Sequence, residues 1–192
     1  INWNTAAANK AFRLAWYYGL DLTNFYKRSN PIYPLKCENN CYTMQGLVYM
    51  SDGTDYTDLV KERLGIPEYN GTSMVRLDKE KGLRYKEQAM EELTREGVTF
   101  PVICDYYISG SSQTALDDAT VLKQAISDGL GDDFVVLNIK TYVSSFVKEA
   151  RDSRLHSIVV TGWAADYGDP QNYLGQQTYG EDNAWFSVKY AN

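Results

Sequence analysis

Histidine occurs once and cysteine three times in 192 residues, so the side chains that most often hold transition metals or pair as nucleophile and base are scarce. Cys37 and Cys41 form a Cys-x3-Cys pair, and His156 adds one nitrogen, a set too small and too irregularly spaced for zinc. No metal and no cofactor is expected. Positive charge is also in short supply: 19 Lys and Arg stand against 25 Asp and Glu, a net charge of −6. An acidic surface repels phosphates, and the densest basic stretch, Lys79 to Arg84, is interrupted by Glu80 as on a solvated helix face. Nucleic acid is excluded as a partner. No run of about 18 apolar residues occurs, and Ile1-Asn2-Trp3-Asn4 has neither the basic start nor the apolar core of a signal peptide. The chain starts without Met and stops at Asn192 after an aromatic-rich stretch, so the expectation is an excised piece whose export or anchoring signal has been removed.

What is present is core-forming material, with 44% hydrophobic and 14% aromatic residues, enough for one globular domain. Asn9 is placed to cap a helix carrying Phe12, Ala15, Trp16, Gly19 and Leu22 at helical spacing. Residues 31–77 show no sustained period and read as an irregular excursion, long enough to be functional, with a short helix at Asp58 to Leu64. A helix follows over Asp78 to Glu96, with Leu83, Ala89, Met90 and Leu93 as its apolar positions and Gly97 as its stop. Then strand and helix alternate: strand Thr99–Tyr107, helix Ser112–Leu130 carrying Leu116, Ala119, Leu122, Ala125 and Ile126, strand Phe134–Ile139, a short helix Tyr142–Arg151, and strand Ser157–Thr161. Apolar strands joined by helices imply an α/β class, with a central, largely parallel sheet and helices on both faces. Cys37 and Cys41 have a spacing that permits a small disulfide ring, while Cys104, inside an apolar strand, reads as a buried hydrophobe.

The third strand runs into Gly162-Trp163-Ala164-Ala165-Asp166-Tyr167-Gly168-Asp169-Pro170. Ligands of parallel sheets bind beyond the carboxyl ends of strands, where this segment falls. Its carboxylates suit an ammonium group, and Trp163 and Tyr167 offer cover for the adjoining carbon skeleton. Two readings of Asp166 stay open at this stage: an ammonium acceptor, or a cap for the next turn with Trp163 in the core.

The same segment resembles the Gly-Trp-x-Ala-Asp-Tyr-x-(Asp/Glu)-Pro stretch of oligopeptide-binding proteins, the family 5 solute-binding receptors of ABC importers. Phe12-Arg13-Leu14-Ala15 through Asp21, Tyr85 to Gly97 and Leu130-Gly131 agree with that family in order, whereas residues 31–77 show no matching pattern. The resemblance implies one lobe of a type II periplasmic-binding-protein-like fold, residues 1–192 being the inserted peptide-binding lobe of a two-lobe receptor. It implies an oligopeptide ligand, ABC permease subunits as membrane partners, a monomer, and an extracytoplasmic location, lipid-anchored or periplasmic. Asp166 falls on the position that receives the peptide's α-ammonium group, Trp163 and Ala164 on positions that line the slot, and Tyr142 on a pocket aromatic, for which ordinary packing on the sheet is the alternative. One position departs: Val160 stands where members favouring short peptides can carry an Arg for the peptide carboxylate, so longer peptides are the expectation.

Two other readings compete. The same fold could hold an oligosaccharide or a metal complex, since 16 Tyr and 4 Trp would serve sugar as well as peptide. A glycosidase could use Asp166 with Asp169 or Glu181, although nothing in the sequence fixes their separation. Cys104 and His156 carry no flanking signature of a catalytic pair.

Overall fold

The computed structural model describes residues 2–38, 40–69, 71–160 and 164–175. They divide into two compact units, the first formed by residues 1–38 and 69–160, the second by 39–68 and 161–192.

In the first unit α1 (Asn2–Ala8) and α2 (Lys10–Gly19) are followed by the single turn α3 (Thr23–Tyr26). The cap expected at Asn9 is present, its side-chain oxygen accepting the Phe12 N–H at 2.8 Å. The sequence pattern assigned no element before Asn9. Helix α1 forms there because Ala6, Ala7 and Ala8 favour helix and Trp3 packs edge-on against Phe12 and Trp16. Leu22 is not part of α2, because the chain turns extended at Leu20 and Leu22 opens α3 instead.

A long helix, α5 (Lys79–Arg95), is capped by Asp78, whose carboxylate accepts the Lys81 N–H, and Gly97 follows with φ of 84°. It lies close against α2, and both meet α6 (Gln113–Leu130) at three glycines. A Cβ on Gly82 would stand 2.7 Å from the Gly19 Cα, and one on Gly129 would stand 2.6 Å from the Gly19 carbonyl oxygen, so no side chain fits at this crossing. The face that α5 buries is therefore Gly82, Ala89 and Leu93. Leu83, expected on that face, is exposed, and so is Leu116 of α6. Both lie beside the buried stripe rather than in it.

Strands β1 (Val102–Ser109) and β2 (Val135–Tyr142) pair in parallel from Val102 opposite Val135 to Ser109 opposite Tyr142. Alternate residues, Val102 and Cys104 on β1 with Val135 and Leu137 on β2, point into a core shared with Phe12, Leu93, Ile126, Leu130 and Phe134. Among the described residues the third strand is one parallel bridge, Ile158 to Tyr106, with Ser157 exchanging hydrogen bonds with Asp105 beside it, while Thr161 lies outside the described residues. The helix expected at Tyr142–Arg151 begins later. Residues to Tyr142 remain in β2, and only Val147–Arg151 forms a helical turn, of π type.

The base of the excursion is also anchored in this unit. Glu38, whose side chain is 4% exposed, accepts the Val75 N–H at 2.7 Å and lies 4.0 Å from the Arg76 guanidinium. Arg76 in turn donates to the Tyr17 carbonyl and lies over the Tyr17 ring.

Within the second unit the excursion is ordered by one carboxylate. Asp55 caps α4 (Tyr56–Leu64) through the Thr57 N–H at 2.8 Å, takes the Thr57 hydroxyl at 2.7 Å and reaches back to the Gly46 N–H at 2.6 Å. The Thr57 hydroxyl and N–H hold its carboxyl below the usual carboxylate range. A tight reversal joins Met50 to Thr54, and Tyr49 bridges Asp55 in antiparallel fashion. Cys41 is buried, with its thiol donating to the Thr57 carbonyl at 3.8 Å, and Cys37 and Cys104 are free thiols.

Candidate functional site

The segment after residue 163 is a loop followed by α7 (Pro170–Leu174). Asp169 is the cap of that turn: its Oδ1 accepts the Gln171 N–H at 2.8 Å, and Pro170 fills the first helical position, where its missing N–H costs nothing. Asp166 is held differently. Its own N–H donates to the Asn172 side-chain oxygen at 3.2 Å, and its carboxylate, exposed, has no hydrogen-bond or ion-pair partner among the described residues. The capping role that stood open for Asp166 belongs to Asp169 instead.

Ala164 and Tyr167 accompany Asp166 on this loop, with Tyr167 exposed and its carbonyl accepting the Asp169 N–H. Tyr142 belongs to the first unit, at the carboxyl end of β2, where its carbonyl accepts the Gly110 N–H and its ring lies 5.9 Å from that of Phe146. Trp163 and Glu181 lie outside the described residues.

The loop following Tyr142 is built to hold its shape. Glu149 accepts the N–H groups of Val143, Ser144 and Ser145 at 2.8 to 2.9 Å, with the Ser144 hydroxyl at 3.0 Å. These backbone donors, Val143 first, pull its carboxyl from 4.5 to about 2. A depressed carboxylate stabilises the fold above its unfolded value and loses that contribution as pH falls through the folded one, here between about 4.5 and 2. Carbon-13 NMR of the Glu149 carboxyl should accordingly show a midpoint near 2, and an ordinary midpoint near 4.5 would mean that the three N–H bonds do not form in solution.

A cleft of about 580 Å³ opens elsewhere on the first unit, lined by Asn2, Trp3, Thr99, Asp105, Arg154 and His156. It lies toward the amino end of β1, away from the strand ends where parallel sheets bind ligands. Cys104 is fully buried and burial pushes its thiol far up, so it is no nucleophile. Among the described residues no group of three or more His, Cys, Asp and Glu is placed to hold a metal ion, and no helix is long and apolar enough to cross a membrane.

No family model matches the sequence. A curated protein does: the oligopeptide-binding protein SarA of Streptococcus gordonii is 30% identical over 188 residues, covering 88% of this chain and 28% of SarA. The chain is homologous to one segment of the oligopeptide-binding proteins. AliA of Streptococcus pneumoniae, also an oligopeptide-binding protein, is 27% identical over 184 residues with the same coverage. The chain thus spans 28% of the length of the curated relatives it matches. Among solved structures, the peptide-binding protein of a peptide ABC transporter superposes with a TM-score of 0.67 at 21% identity, covering 97% of this chain and 73% of that one. That likeness establishes the fold, both the α/β class expected from the alternation of strands and helices and the periplasmic-binding-protein-like form that the resemblance implied. The relatives are binding proteins rather than enzymes.

Proposed function

We propose that this chain is the inserted lobe of an extracytoplasmic solute-binding protein that captures oligopeptides and delivers them to the permease of an ABC importer. The observation that carries the reading is the uncommitted carboxylate of Asp166, beside an Asp169 that already serves the cap. A free carboxylate on a loop of backbone polar groups suits a peptide's α-ammonium group, through a charge-assisted hydrogen bond. Ala164 and Trp163 would bond the peptide main chain as an added strand does, a grip that does not depend on sequence, while Tyr167, on the same loop, lines the slot. Such a protein binds without turnover and acts as a monomer, lipid-anchored or periplasmic. The homology to SarA and AliA supports a peptide as the ligand, and the carboxylate supports it separately, since a neutral sugar does not require one at this place.

Mass spectrometry of small molecules that co-purify with the full-length protein tests the ligand class. A mixture of peptides with free amino termini is the expected result. A single oligosaccharide or metal complex in their place would overturn the reading.

A further inference from the structure

The excursion that carries no recognisable motif presents a row of apolar side chains to solvent. Met44 is 59% and Tyr49 62% exposed, on a turn whose shape is set by the bond from the Gly46 N–H to Asp55. This turn is fixed to the segment bearing Asp166 within the same unit. The Tyr173 hydroxyl meets the Met44 sulfur at 3.2 Å, and Leu47 Cδ1 lies 3.6 Å from where a Cβ on Gly168 would stand. Exposed thioether and phenol groups held in a preset turn lose contact area that an apolar ligand group would supply. The charge around them is mainly acidic. Residues 40–60 and 164–175 contain no Lys or Arg. Lys61, just beyond, pairs with Asp58 at 3.4 Å, which leaves Asp52, Asp166 and Asp169 as the acids without a neighbouring Lys or Arg in these segments.

We propose that Met44, Leu47 and Tyr49 form a selectivity wall for the side chains next to the peptide's amino terminus, favouring apolar and aromatic residues and rejecting acidic ones. The inference rests on the peptide reading above and adds the class of peptide. The ammonium group meets Asp166, the first side chains lie on the wall, and a carboxylate there would face more acids than cations, the nearby Lys61 being already paired with Asp58.

The test uses the full-length protein and a set of free-amine peptides that differ only at their first two residues, Leu or Phe against Asp or Glu. Apolar peptides should bind about ten- to a hundredfold more tightly, the range that covering one such side chain supplies. Met44→Ser combined with Tyr49→Ser should flatten this preference with little change in melting temperature, since both side chains are exposed. Gln45→Lys, on the same exposed turn, should raise the affinity of the acidic peptides relative to the apolar ones. Tight but indiscriminate binding of all the peptides, or a preference that survives these substitutions, overturns the wall and leaves the peptide reading standing. Failure of every free-amine peptide to bind overturns both.

Discussion

Asp166→Asn in the full-length protein is expected to weaken free-amine peptides by about ten- to a hundredfold, the worth of one charge-assisted hydrogen bond. The amide keeps the shape of the carboxylate and removes its charge. Because Asp169 and not Asp166 accepts the Gln171 N–H, the melting temperature should stay nearly unchanged. Asp169→Ala serves as the opposite control, costing about 1 kcal/mol of stability through the lost cap. A variant of Asp166 that lost stability but not affinity would place the cap at the wrong acid.

The second large effect is on stability, at Glu38. Glu38→Ala leaves the Arg76 guanidinium, whose side chain is 11% exposed, without its carboxylate and the Val75 N–H without its acceptor. Breaking a buried pair from one side costs about 3 kcal/mol or more, because the remaining charge stays desolvated. In a chain of this size that corresponds to a melting temperature lower by roughly 6–12 °C. Glu38→Gln keeps an acceptor for the Val75 N–H and should lose less. Thermal unfolding followed by circular dichroism decides it, and an unchanged melting temperature in Glu38→Ala would show that the pair contributes nothing to the fold.

The longer helices and the two paired strands were legible because they follow local rules. Asn9, Asp78 and Ser112 each precede a helix as a side-chain cap, and each accepts the N–H three residues on. The parallel pairing of β1 with β2 followed from apolar runs joined by a helix. The excursion was opaque for a physical reason. Its order comes from the carboxylates of Asp55 and Glu38 bonding backbone groups as far as 38 residues away, and hydrophobic periodicity carries no trace of such bonds. Leu83 was misplaced because helical spacing leaves the edge of a stripe undefined, and the contact of Gly82 with Gly19 set the buried face. At the site, Asp166 was read as the capping alternative, although the signal for Asp169 stood beside it. Pro170 favours the first helical position, which makes the residue before it the cap.

The most direct test of the account is calorimetry of the wild-type full-length protein with one peptide in two forms, free and N-acetylated. Acetylation removes the ammonium group and nothing else of consequence, so the acetylated peptide should bind about ten- to a hundredfold more weakly. In Asp166→Asn the same acetylation should cost much less, because the two changes remove one shared interaction. Equal affinities of the free and acetylated peptides for the wild type would contradict the assignment of Asp166 as the amine site.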